Sequence, residues 1–196
     1  MKHYILTLII LGFFSCKKTD HSVDDKTMKE NRIENSSNTE KGLKFALNTQ
    51  AVLGKNLMGK IQKEGTLAAL KFCNIKAYPL TDSMAVVHNT TIKRVSDKPR
   101  NPNNIATEKE NEYIKIFKND AKQNKDSQPI VVENDTNVEV YYPIVTNGMC
   151  LKCHGNLKAD IEQKTFEEII KLYPNDKAIG YTINEVRGIW NVSFSK

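Results

Sequence analysis

The sequence lacks a hydrophobic stretch long enough to cross a membrane as a helix. Its apolar run at residues 4–14 has eleven residues, whereas a spanning helix needs about 20. Lys2 and His3 precede this run and Ser15-Cys16 ends it, a layout typical of a secretory signal. We therefore expect an exported chain whose residues 1–15 form a signal peptide.

Cysteine is also scarce, with four residues in 196, and the first of them directly follows the apolar run. Ser15-Cys16 resembles the end of a bacterial lipoprotein signal, with Phe13 where that motif usually has Leu. We expect a lipid anchor at Cys16 that holds the protein on the surface of a bacterial membrane, facing the periplasm or the cell exterior. The alternative is an uncleaved signal anchor with an incidental cysteine.

No block of Lys and Arg interleaved with aromatic residues is present, although the net charge is +6. This distribution argues against a nucleic-acid partner. From residue 17 to residue 41 the chain is nearly all polar, so this stretch cannot bury enough apolar surface to offset its ordering entropy. We predict a flexible, lipid-anchored tether at residues 16–41 and one domain at residues 42–196, without internal repeats.

Four segments of this domain have apolar residues at helical spacing. The predicted helices are residues 43–61, 66–79, 106–118 and 160–172. Gly65 separates the first two, and Pro79 is predicted to end the second. Cys73 lies on the inward face of the second helix. The inward residues of the third are Tyr113, Ile114 and Phe117.

Five further segments are rich in β-branched and aromatic residues, which favour strands. The predicted strands are residues 91–95, 129–132, 138–145, 178–183 and 189–194. Their short connections favour antiparallel pairing. We therefore expect an α+β domain in which the helices pack on one face of a five-stranded antiparallel sheet.

The run Cys150-Leu151-Lys152-Cys153-His154 is the attachment signature of a c-type haem. If this run is helical, cysteines three residues apart face the same side, so both thiols can form thioethers with one porphyrin. His154 is then placed to give the iron a neutral imidazole nitrogen. The motif predicts haem c as the cofactor, bound through Cys150 and Cys153, with His154 as an iron ligand.

Three other interpretations of the cysteine pair are a redox disulfide, a structural disulfide and half of a zinc site. Zinc would need a second such pair or paired histidines, and the sequence has neither. A thioredoxin-like centre would need a βαβ context, which is also missing. These absences favour haem.

The second axial position of the iron has several candidates in the mature chain. They are His21, Met28, Met58, Cys73, Met84, His88 and Met149. His21 and Met28 lie in the tether, and Met149 is too close to the attachment site to reach the far face of the ring. Cys73 is the one cysteine left unassigned in an exported protein, which singles it out. Its alternative role is that of a small buried hydrophobic residue.

Many residues between positions 69 and 190 together match one known pattern, and the resemblance covers about residues 43–192. They are Ala69, Phe72, Cys73, Ala77, Tyr78, Pro79, Arg94, Val95, Ser96, Arg100, Asn101, Pro102, Asn104, Glu110, Phe117, Pro143, Ile144, Cys150 to Gly155, Tyr173, Pro174, Asp176, Ala178, Gly180, Tyr181, Arg187, Gly188 and Trp190. On these residues the chain resembles the Tll0287-like haem domain family. The resemblance departs at Asn184-Glu185, where Gly-Asp is usual, and at Ala106, where Pro is usual.

The resemblance implies a PAS-like domain with a C-terminal haem c segment, and it implies Cys73 as the second axial ligand. A bound thiolate donates strongly and should lower the reduction potential relative to a Met/His pair. It also implies attachment of the haem outside the cytoplasm, which agrees with the export signal. Three arginines are candidates for pairing with the haem propionates, because Arg binds carboxylates through two hydrogen bonds. They are Arg94, Arg100 and Arg187, and their alternative role is in ordinary ion pairs.

Two functions fit these expectations. The first is a redox or gas sensor, in which the iron releases Cys73 on reduction or on binding a small gas. The second is a membrane-tethered electron-transfer cytochrome with a redox partner protein, which is favoured by the lack of an output domain before Lys196. An enzyme would need distal acid or base groups, for which His88 is the one candidate, so we do not expect one.

Overall fold

The computed structural model describes residues 22–196, so the predicted signal peptide, Cys16 and His21 lie outside the described residues. In chain order the elements are α1 (Ser22–Val87), β1 (Thr91–Val95), a short 3-10 helix (Pro102–Asn104), α2 (Glu108–Lys122), β2 (Ile130–Glu133), β3 (Asn137–Val145), α3 (Gly148–His154), α4 (Gln163–Leu172) and β4 (Val186–Ser195). The described residues divide into two units, the first ending at Asn35 and the second being Ser36–Lys196. All contacts below belong to the second unit. No helix among the described residues combines the length and apolar character needed to cross a membrane.

Helix α1 differs from the predicted pair of helices and from the predicted tether. It is helical from Ser22 onward, and the stretch from residue 17 to residue 41 contains no glycine or proline to interrupt it. The predicted break occurs at Gly65, whose φ of 84° and ψ of 174° are not helical. Pro79, in contrast, does not end the helix. The turns after Pro79 pack Met84 and Ala85 against the sheet, which offsets the one backbone hydrogen bond that a proline removes.

The described residues form a four-stranded antiparallel sheet in the order β1-β4-β3-β2. Antiparallel pairing is confirmed, but the predicted strand at residues 178–183 is wrong. The backbone N–H groups of Gly180 and Tyr181 donate to the carbonyls of Gly155 (2.8 Å) and His154 (3.0 Å). This segment therefore pairs with the end of α3 instead of a strand, and Gly180 takes a left-handed φ of 82°.

The helices cover both faces of the sheet, which corrects the prediction of a single covered face. Helix α1 lies on one face, where Ala46 packs with a cluster of sheet residues: Ile92, Val138, Val140, Trp190, Val192 and Phe194. Helix α2 lies on the opposite face, which receives Tyr113, Ile114 and Phe117. These three residues are buried as predicted. Alternate strand residues point to opposite faces, so one sheet supports two cores.

Helix α4 packs against α1 and not against the sheet. Its Ile169 is fully buried in a third cluster with Ile161 and with Leu70 of α1. Leu70 is three residues before Cys73, so α4 supports the part of α1 that carries this cysteine.

Close packing of β4 on β1 leaves no room for a side chain at Gly188, because an added Cβ would collide with the Val95 carbonyl oxygen. We expect Gly188→Ala to lower the free energy of unfolding by about 1–3 kcal/mol, as is usual for overpacking, measured by urea titration. Gly59 in α1 faces open space, so Gly59→Ala should raise it by about 0.5–1 kcal/mol. Equal stability of Gly188→Ala and the wild type would contradict this packing.

Candidate functional site

A cavity of about 520 Å³ lies between α1, the sheet face that α1 covers, and α3. Its volume is within the range of small-molecule and cofactor sites. Four chemically reactive side chains line it together: Cys73, Cys150, Cys153 and His154. Much of the remaining wall is apolar, including Leu57, Ile61, Leu70, Ile144 and Trp190. The structure thus brings Cys73 to the same cavity as the motif that follows it by some eighty residues.

The run at residues 150–154 lies on helix α3. The run is therefore helical, as is required for the thiols of Cys150 and Cys153 to face the same side. Asn147 caps this helix, and its side-chain oxygen accepts from the backbone N–H groups of Met149 (3.0 Å) and Cys150 (3.3 Å). Cys73, Cys150 and Cys153 are free thiols. Burial raises the pKa of Cys153 to about 11. Within residues 22–196 no group of three or more His, Cys, Asp or Glu side chains is arranged to hold a metal ion.

His154 is held as a neutral imidazole. Its Nδ1 lies 2.7 Å from the Ala178 carbonyl oxygen and 3.4 Å from Nε of Arg187. The contact with the carbonyl requires a proton on Nδ1, because a carbonyl can only accept, whereas the contact with Arg187 requires Nδ1 to accept. The contact with the carbonyl is the shorter one, so we place the proton on Nδ1. Burial first, and then the charges of Arg100 and Arg187, lower the pKa of His154 well below its ordinary value. Nε2 is therefore the unprotonated nitrogen, the form that binds metals.

The other predicted candidates for the second iron ligand do not share this position. In the second unit, Met58, Met84 and His88 do not line the cavity. Met84 packs into the sheet core, and His88 stacks on Phe45 with ring centroids 4.3 Å apart. Met149 lines the cavity, but it belongs to α3 itself, next to Cys150. Met28 belongs to the first unit.

Cys73 comes from the part of α1 that follows the break at Gly65, and it is half-buried. Burial is the largest effect on its thiol and raises the pKa, while the positive charges of Arg94 and Arg100 act in the opposite direction. The free thiol is therefore protonated. The two nearby guanidinium groups would favour its thiolate form if a bound group also stabilised the negative charge on sulfur.

The three predicted arginines all line the cavity, but their partners differ. Arg100 pairs with Asp176 at 2.9 Å. Arg187 donates to Ser96 Oγ at 2.8 Å. Arg94 has one long hydrogen bond, 3.4 Å to the Ala77 carbonyl, and its guanidinium lies over the Trp190 ring. Among the ion pairs of the described residues, neither Arg94 nor Arg187 has a carboxylate partner.

These features fit a haem. An apolar cavity accepts the flat macrocycle, and cations without carboxylate partners suit its two propionates. Arg100 is only 8% exposed, and its buried Nε has no hydrogen-bond partner. A buried donor without an acceptor costs free energy, and a carboxylate on a bound group would satisfy it. Two thiols and a neutral imidazole on one helix complete the set of groups that hold a haem c.

Asp176 and Ala178 contribute to this site although sequence reasoning assigned them no role. Both belong to the irregular segment between α4 and β4, and both match the family pattern. Asp176 Oδ1 accepts from the backbone N–H of Ala178 at 2.8 Å, an arrangement typical of Asp in turns. That short-range signal is visible in a sequence, but its connection to Arg100, 76 residues away, is not.

Comparison with known proteins gives one family and one solved structure. The family described as Tll0287-like (Tll0287) matches residues 18–195. The solved structure is that of the cyanobacterial heme-protein Tll0287, with a TM-score of 0.59 and 22% sequence identity over 79% of this chain and 94% of that chain. This similarity shows a shared fold. No curated protein matches. Because the family match covers nearly the whole chain, this protein belongs to the Tll0287-like family.

Proposed function

We propose that the chain is an exported haem protein that carries one haem c, attached through Cys150 and Cys153, with His154 and Cys73 as the axial iron ligands. The observation that carries the proposal is that one cavity is lined by all four of these residues, while Met58, Met84 and His88 do not line it. The description of the structural relative as a heme-protein supports a haem as the cofactor.

Each residue has a defined chemical task in this proposal. The haem supplies an iron centre that changes its oxidation state and binds small ligands. Cys150 and Cys153 anchor it covalently, and His154 offers Nε2 because Nδ1 donates to Ala178. Arg94, beside Cys73 and without a carboxylate partner, balances the charge of a Cys73 thiolate or of a propionate. The thiolate lowers the reduction potential relative to Met/His coordination.

The role that we propose is that of a redox or gas sensor with a PAS-like domain. In this role Cys73 would be the residue that the iron releases on reduction or on binding a gas. The segment of α1 that carries it starts at the break at Gly65 and ends with Met84 on the sheet core. A displacement of Cys73 would therefore reach the sheet through one continuous helical segment. A membrane-tethered electron carrier is the alternative, and among the described residues no Asp, Glu or Lys side chain lines the cavity.

The membrane location that we propose depends on Cys16. In a bacterial host that processes lipoproteins, the wild-type protein should sediment with membranes, because its acyl chains insert in the bilayer. Cys16→Ser should move most of the protein to the soluble fraction, as followed by immunoblotting. Cys73→Ala is the control and should stay with the membranes. Sedimentation of Cys16→Ser with the membranes would refute the lipid anchor.

The axial ligand is tested by Cys73→Ala in protein matured with haem. This variant should keep its haem through denaturing electrophoresis, because the thioethers are intact. Its ferric absorption spectrum should change and its reduction potential should rise, since a strong donor is lost.

Two controls frame the Cys73 experiment. The double variant Cys150→Ala, Cys153→Ala should lose its haem on denaturation, and His88→Ala should retain the wild-type spectrum and potential. A wild-type spectrum in Cys73→Ala would show that another residue fills the second axial position.

Carbon monoxide separates the sensor from the electron carrier. The reduced wild-type protein should bind the gas fully and rapidly, because Cys73 leaves the iron, and the spectrum should convert to that of a carbonyl adduct. If the reduced protein does not bind carbon monoxide at saturation, the iron keeps both protein ligands and the electron carrier is the better account.

A further inference from the structure

A closed set of hydrogen bonds lies behind His154, on the side away from Nε2. Asp176 accepts from the Ala178 N–H through Oδ1 (2.8 Å) and from Arg100 Nη2 through Oδ2 (2.9 Å). The Ala178 carbonyl in turn accepts from His154 Nδ1 at 2.7 Å and faces Arg100 Nη2 at 3.3 Å. Asp176 thus holds the backbone N–H of Ala178, the residue whose carbonyl oxygen contacts the imidazole.

Arg100 also binds the end of helix α3. Its Nη2 donates to the Cys153 carbonyl at 2.6 Å, at the C-terminal end of α3, where a cation is favourable. One guanidinium therefore joins the haem-attachment helix to the irregular segment at residues 176–181. The same two segments are joined by the backbone bonds from Gly180 and Tyr181 to Gly155 and His154.

Burial makes this ion pair more than a surface contact. The side chains of Arg100 and Asp176 are 9% and 7% exposed, so solvent screens them weakly and each needs the other. A buried pair of this kind is favourable only where its geometry is good, and here both side-chain hydrogen bonds of Asp176 are made with Arg100 and Ala178. The pair therefore fixes the position of the Ala178 carbonyl oxygen, which is the acceptor of His154 Nδ1–H.

We propose that Asp176 and Arg100 are positioning residues for His154: together they fix the Ala178 carbonyl as the acceptor of Nδ1–H, and so set the tautomer, ring orientation and donor strength of the iron ligand. This inference rests on the proposed function, since His154 must be an iron ligand for its donor strength to matter. Such partners behind a ligating histidine commonly control the metal as much as the ligand does.

The inference is tested on the holoprotein with three variants, each measured for covalent haem, thermal unfolding, ferric and ferrous spectra, and reduction potential. Asp176→Ala removes both bonds of the carboxylate, and Asp176→Asn keeps an oxygen for the Ala178 N–H. Arg100→Lys keeps the charge but replaces the planar guanidinium, whose Nη2 contacts both the Cys153 carbonyl and Asp176 Oδ2. The matched control is Glu112→Gln, which removes a carboxylate from the exposed pair with Lys109.

All variants should retain covalent haem. Asp176→Ala should shift the oxidised-to-reduced ratio about tenfold toward the reduced form at a fixed potential, equivalent to about 59 mV for a one-electron couple. Arg100→Lys should shift it in the same direction, Asp176→Asn should shift it less than Asp176→Ala, and Glu112→Gln should not shift it. The reason is that a less firmly held imidazole is a weaker donor to the oxidised iron.

Two results would overturn the inference. One is lower thermal stability with wild-type spectra and potential, which is the outcome of a merely structural ion pair. The other is an equal shift in Asp176→Ala and Asp176→Asn with none in Arg100→Lys, which is the outcome of a charge effect alone. If Asp176→Ala does not fold, Arg100→Lys decides. A wild-type protein without covalent haem would instead refute the proposed function itself.

Discussion

The hydrogen bond from His154 Nδ1 to the Ala178 carbonyl is the contact on which the rest of the site depends. It determines which ring nitrogen is left unprotonated, and it can form only if the irregular segment at residues 176–181 lies against the end of α3. That segment is bound there by backbone hydrogen bonds and by the Arg100–Asp176 pair. The placement of one imidazole thus accounts for an irregular connection where the residue composition favours a strand.

The sheet has a comparable role toward Cys73. Helix α1 covers one sheet face through Ala46 and, after the break at Gly65, through Met84, so the intervening residues are held over the cavity with Cys73 on its wall. Helix α4 supports the same stretch through Leu70. Apolar packing places the thiol, while polar contacts place the imidazole. The proposed sensor role would use this difference, because apolar contacts are not directional, whereas a buried ion pair is held by directed hydrogen bonds.

Sequence patterns predicted the elements whose signals are local. The strand Thr91–Val95 was predicted to the residue, and the inward face of α2 was predicted correctly from its spacing. The same reasoning failed at residues 178–183, because β-branched residues indicate an extended chain but not its partner. It also failed to place the helices on two sheet faces, since amphipathic spacing shows that a helix face is buried and not which element covers it.

The site could be predicted from the sequence only in part. The attachment motif was visible from its spacing alone. The family resemblance pointed to Cys73, whereas the Arg100–Asp176 pair joins residues too far apart in sequence to be found that way.

The central claim, one covalently held haem with Cys/His coordination, is tested most directly on the wild-type protein matured with haem. The measurement is electron paramagnetic resonance of the ferric protein, after acid extraction has shown whether the haem stays with the chain. The account predicts a haem that resists extraction and a low-spin signal typical of thiolate and imidazole ligands. A haem that is extracted by acid, or a low-spin signal without a sulfur thiolate ligand, would contradict it.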